Sequence, residues 1–190
     1  KALAMAGIRG GRTSVGSIAA PPTLRSLQFT LWALLALLLQ STVITRIHWP
    51  LGGPNLVFLL FIPWALKESP VRATIIGFAV GVALDILPPA DGILGHWSLT
   101  CAITAYALSR YAEASRDIEN SPLVETGVYL AGLLGLLLIW GFSGIIMGDA
   151  RAGIQFFGNE LPKSFLWNAI LAPIVIPLIR SQFGIRRMRK

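Results

Sequence analysis

Charge is what this chain has least of. Of its 190 residues only 13% are Asp, Glu, Lys or Arg, about half of the roughly 25% found in an ordinary soluble domain. A water-soluble surface cannot be built from so few charges. There is one cysteine, Cys101, which excludes an intrachain disulfide and a CxxC metal site and reads as a small core residue within an apolar run. No HExxH, no Gly-rich phosphate loop, no paired intramembrane aspartates and no Cys/His cluster occurs, so no cofactor or metal is expected. The net charge of +7 and pI near 10.3 raise the question of nucleic acid. No basic stripe with interleaved aromatics is present, however, and nucleic acid is not an expected partner. The basic residues collect instead at the chain ends and in short connections, where anionic lipid headgroups attract them.

What is present is apolar sequence in long runs, with a mean hydropathy of +0.67. Six stretches stand out, at residues 27–45, 55–66, 71–87, 93–109, 123–147 and 164–179, and the only charges inside them are Arg72, Asp85 and Glu125. Apolar helices of about 20 residues separated by charged connections are what about 30 Å of hydrocarbon demands. The expected fold is therefore all-α, a polytopic membrane protein of six transmembrane helices. Counting Lys and Arg by connection, with both termini inside, places thirteen on the cytoplasmic side and three outside, a strong positive-inside bias. The second stretch is short for a span, but removing it as a crossing would destroy that asymmetry. We therefore expect its helix to begin nearer Leu51, with Gly52, Gly53 and Pro54 forming a distorted start. The first run is too long for a signal peptide and is followed by no small-residue cleavage site, so it reads as a first membrane helix. Residues 1–25 read as a flexible cytoplasmic segment, 26–180 as the six-helix domain and 181–190 as a basic cytoplasmic tail.

Small residues and a few polar ones carry the remaining information. Gly77, Gly81 and Asp85 recur every four residues and share one face of the third helix, a smooth groove that invites another helix and ends in a carboxyl group. A carboxyl at a helix C-terminus meets the negative end of the macrodipole, which implies a specific partner; Asn55, Arg46, His96 and Lys163 are nearest in expected depth. Pro54-Asn55 opens the second helix, where Asn is a good cap, and Asn55 facing Asp85 would pin the outer ends of two helices. Gly92 to Gly95 forms the turn before the fourth helix. Gly141, Gly144 and Gly148 form a second small-residue face.

Gly141-Phe142-Ser143-Gly144 resembles the nucleophile motif of rhomboid intramembrane proteases, yet that family places its histidine on a later helix and here His48 and His96 both come earlier. His96 can still share a leaflet side with Ser143, and Ser-His proximity is what activation of a serine needs. Small residues in a membrane helix are, however, far more often packing contacts, and packing is the favoured reading of this motif. Asp149, Arg151 and Glu160 fall in the outer loop after the fifth helix, where solvation is expected, and Trp49, Trp97, Trp140 and Trp167 lie near outer ends, as an aromatic belt requires. Asn168, Pro173 and Pro177 are expected to produce packing kinks in the last helix.

The run Pro54-Asn55, then Gly77-Phe78-x-x-Gly81-x-x-x-Asp85, then Gly92-x-x-Gly95 resembles the bacterial rod shape-determining membrane protein family MreD. The motif match covers about residues 35 to 111. The resemblance implies a fold similar to the six-helix substrate-binding components of energy-coupling-factor transporters. It implies, too, a non-enzymatic scaffold subunit of the cell-elongation complex in the bacterial inner membrane, regulating peptidoglycan synthesis. Its implied partners are the single-pass protein MreC, and MreB, RodA and a class B penicillin-binding transpeptidase directly or indirectly. Either glycine face would then receive a partner's helix. An alternative from the same fold is a small-molecule or lipid-binding transporter component built around Asn55 and Asp85.

Overall fold

The computed structural model describes residues 22–44, 46, 53–87, 92–115 and 122–182, and they form helices connected by turns, with no strand among them. α1 (Pro22–Leu39) continues into a π-helical segment (Gln40–Ile44). It is followed by α2 (Leu56–Ala65), α3 (Pro70–Ile86), α4 (His96–Ala114) and α5 (Pro122–Met147). A second π segment (Phe156–Glu160) leads into α6 (Leu161–Gln182). Each apolar stretch of the sequence is thus one helix. α1 begins within the segment expected to be a lead-in, because Pro22 occupies a first-turn position where its missing N–H costs nothing. Residues 1–21, the proposed start near Leu51, Pro88-Pro89, Trp49 and the basic tail lie outside the described residues.

Among the described residues one helix, Leu123–Met147, is by itself long and apolar enough to cross a bilayer. The 10 residues of α2 span only about 15 Å at 1.5 Å per residue. Every residue from Val57 to Ala65 is buried, so this helix is apolar on all sides because it runs through the centre of the bundle. Its neighbours are α1, α3, α4, α5 and α6. Phe29 of α1 stacks on Trp64 with ring centroids 4.2 Å apart. The start of α2 is capped from two directions: Asn55 Oδ1 accepts the Phe58 N–H at 3.3 Å, and Gln40 Oε1, from the π segment of α1, accepts the Leu56 N–H at 2.9 Å. Pro63 sits inside the helix, and the next turn ends it.

α3 and α4 form the closest helix pair. A Cβ added to Gly77 would stand 2.8 Å from both Ala105 Cβ and the Cys101 carbonyl oxygen, and one added to Gly81 would stand 2.5 Å from the Trp97 carbonyl oxygen and press on the Ser98 backbone. The Gly77/Gly81 face is therefore filled from within by α4 and offers no surface to a partner, which corrects the first docking expectation. Helix backbones at this separation gain dispersion contacts that any side chain would abolish. Substituting Gly81→Leu is expected to lower stability by about 3 kcal/mol or more through overpacking against backbone. Gly127→Ala, whose added Cβ meets nothing within 4 Å, is expected to be neutral or stabilising by up to about 1 kcal/mol. Thermal unfolding of detergent-solubilised protein checks both; equal melting of the two variants would contradict the packing.

Candidate functional site

The polar residues of the chain converge where α3 ends, α4 begins and α5 ends. Asp85, in the last turn of α3, accepts the backbone N–H groups of Gly95 (3.0 Å), Trp97 (3.1 Å) and Ser98 (3.1 Å), and the Ser98 hydroxyl at 2.6 Å. An α-helix leaves its first N–H groups without internal partners. The residue at the N-cap position of α4 is Gly95, at φ +92° and with no side chain to cap with. Asp85 supplies the missing cap from the neighbouring helix, and the positive end of the α4 dipole offsets the unfavourable position of a carboxyl at the end of α3. None of the four side chains expected as its partner plays that part. Asn55 is used in capping α2, so the expected Asn55–Asp85 pin is replaced by two separate caps.

The next residue, His96, is fully buried. Its Nδ1 lies 3.3 Å from Asp149 Oδ2, and its Nε2 lies 2.8 Å from Ser143 Oγ and 3.0 Å from the Trp140 carbonyl oxygen. Nδ1 thus faces the Asp149 carboxyl, and Nε2 faces the Trp140 carbonyl and the oxygen of Ser143, whose one hydroxyl proton is directed to the Ile139 carbonyl. The ring stacks on Trp140 at 4.9 Å, Trp140 stacks on Trp97 at 5.2 Å, and the Arg151 guanidinium stands 5.7 Å over Trp140. Trp140 is therefore a core residue, buried and enclosed on its faces, and not part of an aromatic belt.

Asp149 reaches this position because of how α5 stops. Gly148 takes φ +75°, the Gly148 N–H bonds the Ile145 carbonyl at 3.2 Å and the Asp149 N–H bonds the Gly144 carbonyl at 2.8 Å, the paired bonds of a Schellman motif. Gly148 thus serves as a helix terminator, and an added Cβ there meets nothing within 4 Å. Gly144 packs directly on Ala152 and His96, and Gly141 on Phe156 and Phe157, so the second glycine face is also occupied by the chain itself. Asp149 was expected to be solvated; it is buried and accepts the Arg151 backbone N–H (3.0 Å), Nε (3.2 Å) and Nη2 (3.0 Å). That guanidinium holds the Asp149 carboxyl well below the usual carboxylate range; burial opposes the shift, and the His96 hydrogen bond adds to it. Arg151 also fills the space beside Gly92.

Ser143, His96 and Asp149 form a hydrogen-bonded line; the expected outer level brings His96 and Ser143 together, while Asp149, the third member, was expected to be solvated. Ser143 sits inside α5 and also bonds the Ile139 carbonyl at 2.6 Å, so the serine, the imidazole and the carboxyl join α4 to α5 and to the loop that follows. Gln40 and Tyr129 were not singled out in the sequence. Gln40 caps α2 as described, and the Tyr129 hydroxyl bonds Asn168 Oδ1 at 3.4 Å while Asn168 Nδ2 bonds the Ser164 carbonyl at 2.7 Å. A polar residue within an apolar helix was the available signal.

Taken together, the described residues form a helical protein whose polar groups hold helices to one another, as in helical membrane proteins. A profile of the rod shape-determining protein MreD family matches residues 23–182, and the chain belongs to that family, a family of membrane proteins with a structural role in cell shape. Neither the curated proteins nor the solved structures contain a match; the likeness in fold to energy-coupling-factor components stays an implication of the sequence resemblance.

Asp85→Ala would orphan three N–H groups and is expected to cost about 2 kcal/mol or more, Asp85→Asn about 1 kcal/mol; retention of full thermal stability by Asp85→Ala would contradict the cross-helix cap. Because the folded carboxyl of Asp149 titrates below its unfolded range near about pH 4, its contribution is complete above that range and is lost as pH falls through the lower folded value. The stability gap between wild type and Arg151→Gln is therefore expected at pH 7 and should shrink on acidification below about pH 4, as read by denaturation at several pH values.

Proposed function

We propose that this chain is a non-enzymatic scaffold subunit of the bacterial cell-elongation complex, in the inner membrane, that binds MreC and through it helps regulate peptidoglycan synthesis. RodA, a class B penicillin-binding transpeptidase and MreB are its direct or indirect associates. The family match over residues 23–182 carries this reading. In support, the buried polar side chains at the α3–α4–α5 junction are used in joining helices. No observation favours the transporter alternative. The charge count further supports six crossings with both termini cytoplasmic, α2 being held at membrane depth by the helices around it. On that topology the Asp85–His96–Asp149 junction faces outward, and the cations Lys67, Arg72 and Arg110 lie at the cytoplasmic ends.

Two measurements test the proposal. In a rod-shaped bacterium depleted of its own MreD, expression of this chain together with its cognate MreC is expected to restore rods, and the tagged chain is expected to co-purify MreC. Round cells together with no MreC in the eluate would sink it. For topology, Asn159→Cys is expected to react with a membrane-impermeant maleimide on intact spheroplasts, and Lys67→Cys only after permeabilisation; labelling of both from one side would rule out the six-crossing arrangement.

A further inference from the structure

The His96 ring is fully buried, and the polar atoms placed against its two nitrogens are acceptors. Nδ1 faces Asp149 Oδ2 at 3.3 Å. The Arg151 guanidinium and backbone N–H hold that carboxyl ionised, so it has no proton to give to the ring. Nε2 faces the Trp140 carbonyl oxygen at 3.0 Å and Ser143 Oγ at 2.8 Å. A carbonyl only accepts, and the one proton of the Ser143 hydroxyl is engaged by the Ile139 carbonyl at 2.6 Å. A ring with a single proton therefore leaves a lone pair against oxygen, on the Asp149 side or on the Trp140 side. Turning the Ser143 hydroxyl towards Nε2 forfeits its bond to Ile139 and still leaves the Trp140 carbonyl facing the lone pair. A ring with two protons donates on both sides.

The charges around the ring balance such a cation. From α3, Asp85 accepts the N–H groups of Gly95, Trp97 and Ser98, the residues that flank His96 in the chain, and so offsets the positive end of the α4 dipole. From the loop after α5 come Asp149 and its partner Arg151. Two carboxylates and one guanidinium leave one negative charge, which an imidazolium neutralises. Among the described residues no charged side chain of α2, α5 or α6 bonds the ring, and Glu160 and Lys163 at the start of α6 pair with each other at 3.7 Å. The face of Trp140 stacked on His96 at 4.9 Å also suits a cation.

We propose that His96 carries both ring protons in the folded chain, and that the joint it makes between α4, α5 and the loop after α5 is therefore proton-dependent. The joint holds while both N–H groups are present. When one proton passes to water, a lone pair is left against oxygen and that side of the joint loosens. An imidazolium, moreover, cannot take the Ser143 proton, so the pair does not act as nucleophile and base. Only the side of the membrane from which the protons come, the outer one, rests on the six-crossing topology proposed above.

His48 is the only other histidine, so His48→Gln leaves one ring to observe by nitrogen NMR of the full chain, labelled at histidine and held in lipid nanodiscs. At about pH 7 both ring nitrogens are expected to show a directly bonded proton. Ser143→Ala, which keeps the Trp140 acceptor, is expected to retain both. A bare ring nitrogen in the His48→Gln chain would overturn the proposal. Thermal unfolding of His48→Gln and of His48→Gln/His96→Gln is then compared from about pH 6 to about pH 9. A proton bound by the folded chain and given up by the unfolded one makes stability fall as pH rises. The advantage of the chain that keeps His96 is thus expected to shrink by about a few degrees over that range; a constant or growing advantage would equally sink the idea. Should the His96→Gln chain fail to fold, the nitrogen spectrum decides alone.

Discussion

The carboxyl group of Asp85 on the N-terminus of α4 is the contact from which the rest of the junction is built. It joins two helices at the one place where each has an electrostatic defect: α3 ends in an acid beside its own carbonyls, and α4 starts at a glycine that has no capping atom. Bringing them together cancels both defects. The approach is possible only because Gly81, one turn earlier, lets the Trp97–Ser98 backbone lie against α3. His96 then enters the bundle with its ring turned to α5, where Trp140, Ser143 and Asp149 receive it.

In a chain with few polar groups, four side chains hold pairs of elements together. Gln40 ties α1 to α2, Asp85 ties α3 to α4, His96 ties α4 to α5, and Tyr129 ties α5 to α6 through Asn168. In an apolar surrounding the hydrophobic effect does not distinguish a helix from lipid, so these bonds and the glycine contacts set the arrangement. Two buried side-chain groups, the Thr104 hydroxyl and the Trp140 indole N–H, have no hydrogen-bond partner among the described residues.

Much of this was readable from residue order and some was not. The six apolar stretches became six helices because run length and flanking charge act locally. Asn55 capped α2 and Gly95 opened α4, as their types suggested. Asp85 needed a partner, and it has one, but that partner is backbone, which every residue carries and no residue name marks. The glycine faces were correctly seen as places of close approach; the helix that approaches belongs to the same chain. Gly148 was read as the third member of a packing face although its spacing coincides with a helix end, where a positive φ is the reason for glycine. The Ser143–His96–Asp149 line spans 53 residues between His96 and Asp149, so periodicity within a helix could not expose it.

Composition and periodicity by themselves determined that the chain is helical and apolar, where its helices lie, and which residues carry an unmet requirement. The tertiary structure decided how each requirement is met: Asp85 by the start of α4, Asp149 by Arg151 and His96, and two glycine faces by internal packing. The division has a physical cause. Helix propensity and burial tendency are properties of a residue and its near neighbours, whereas whether a surface is covered depends on the relative placement of whole helices, which many distant contacts fix together.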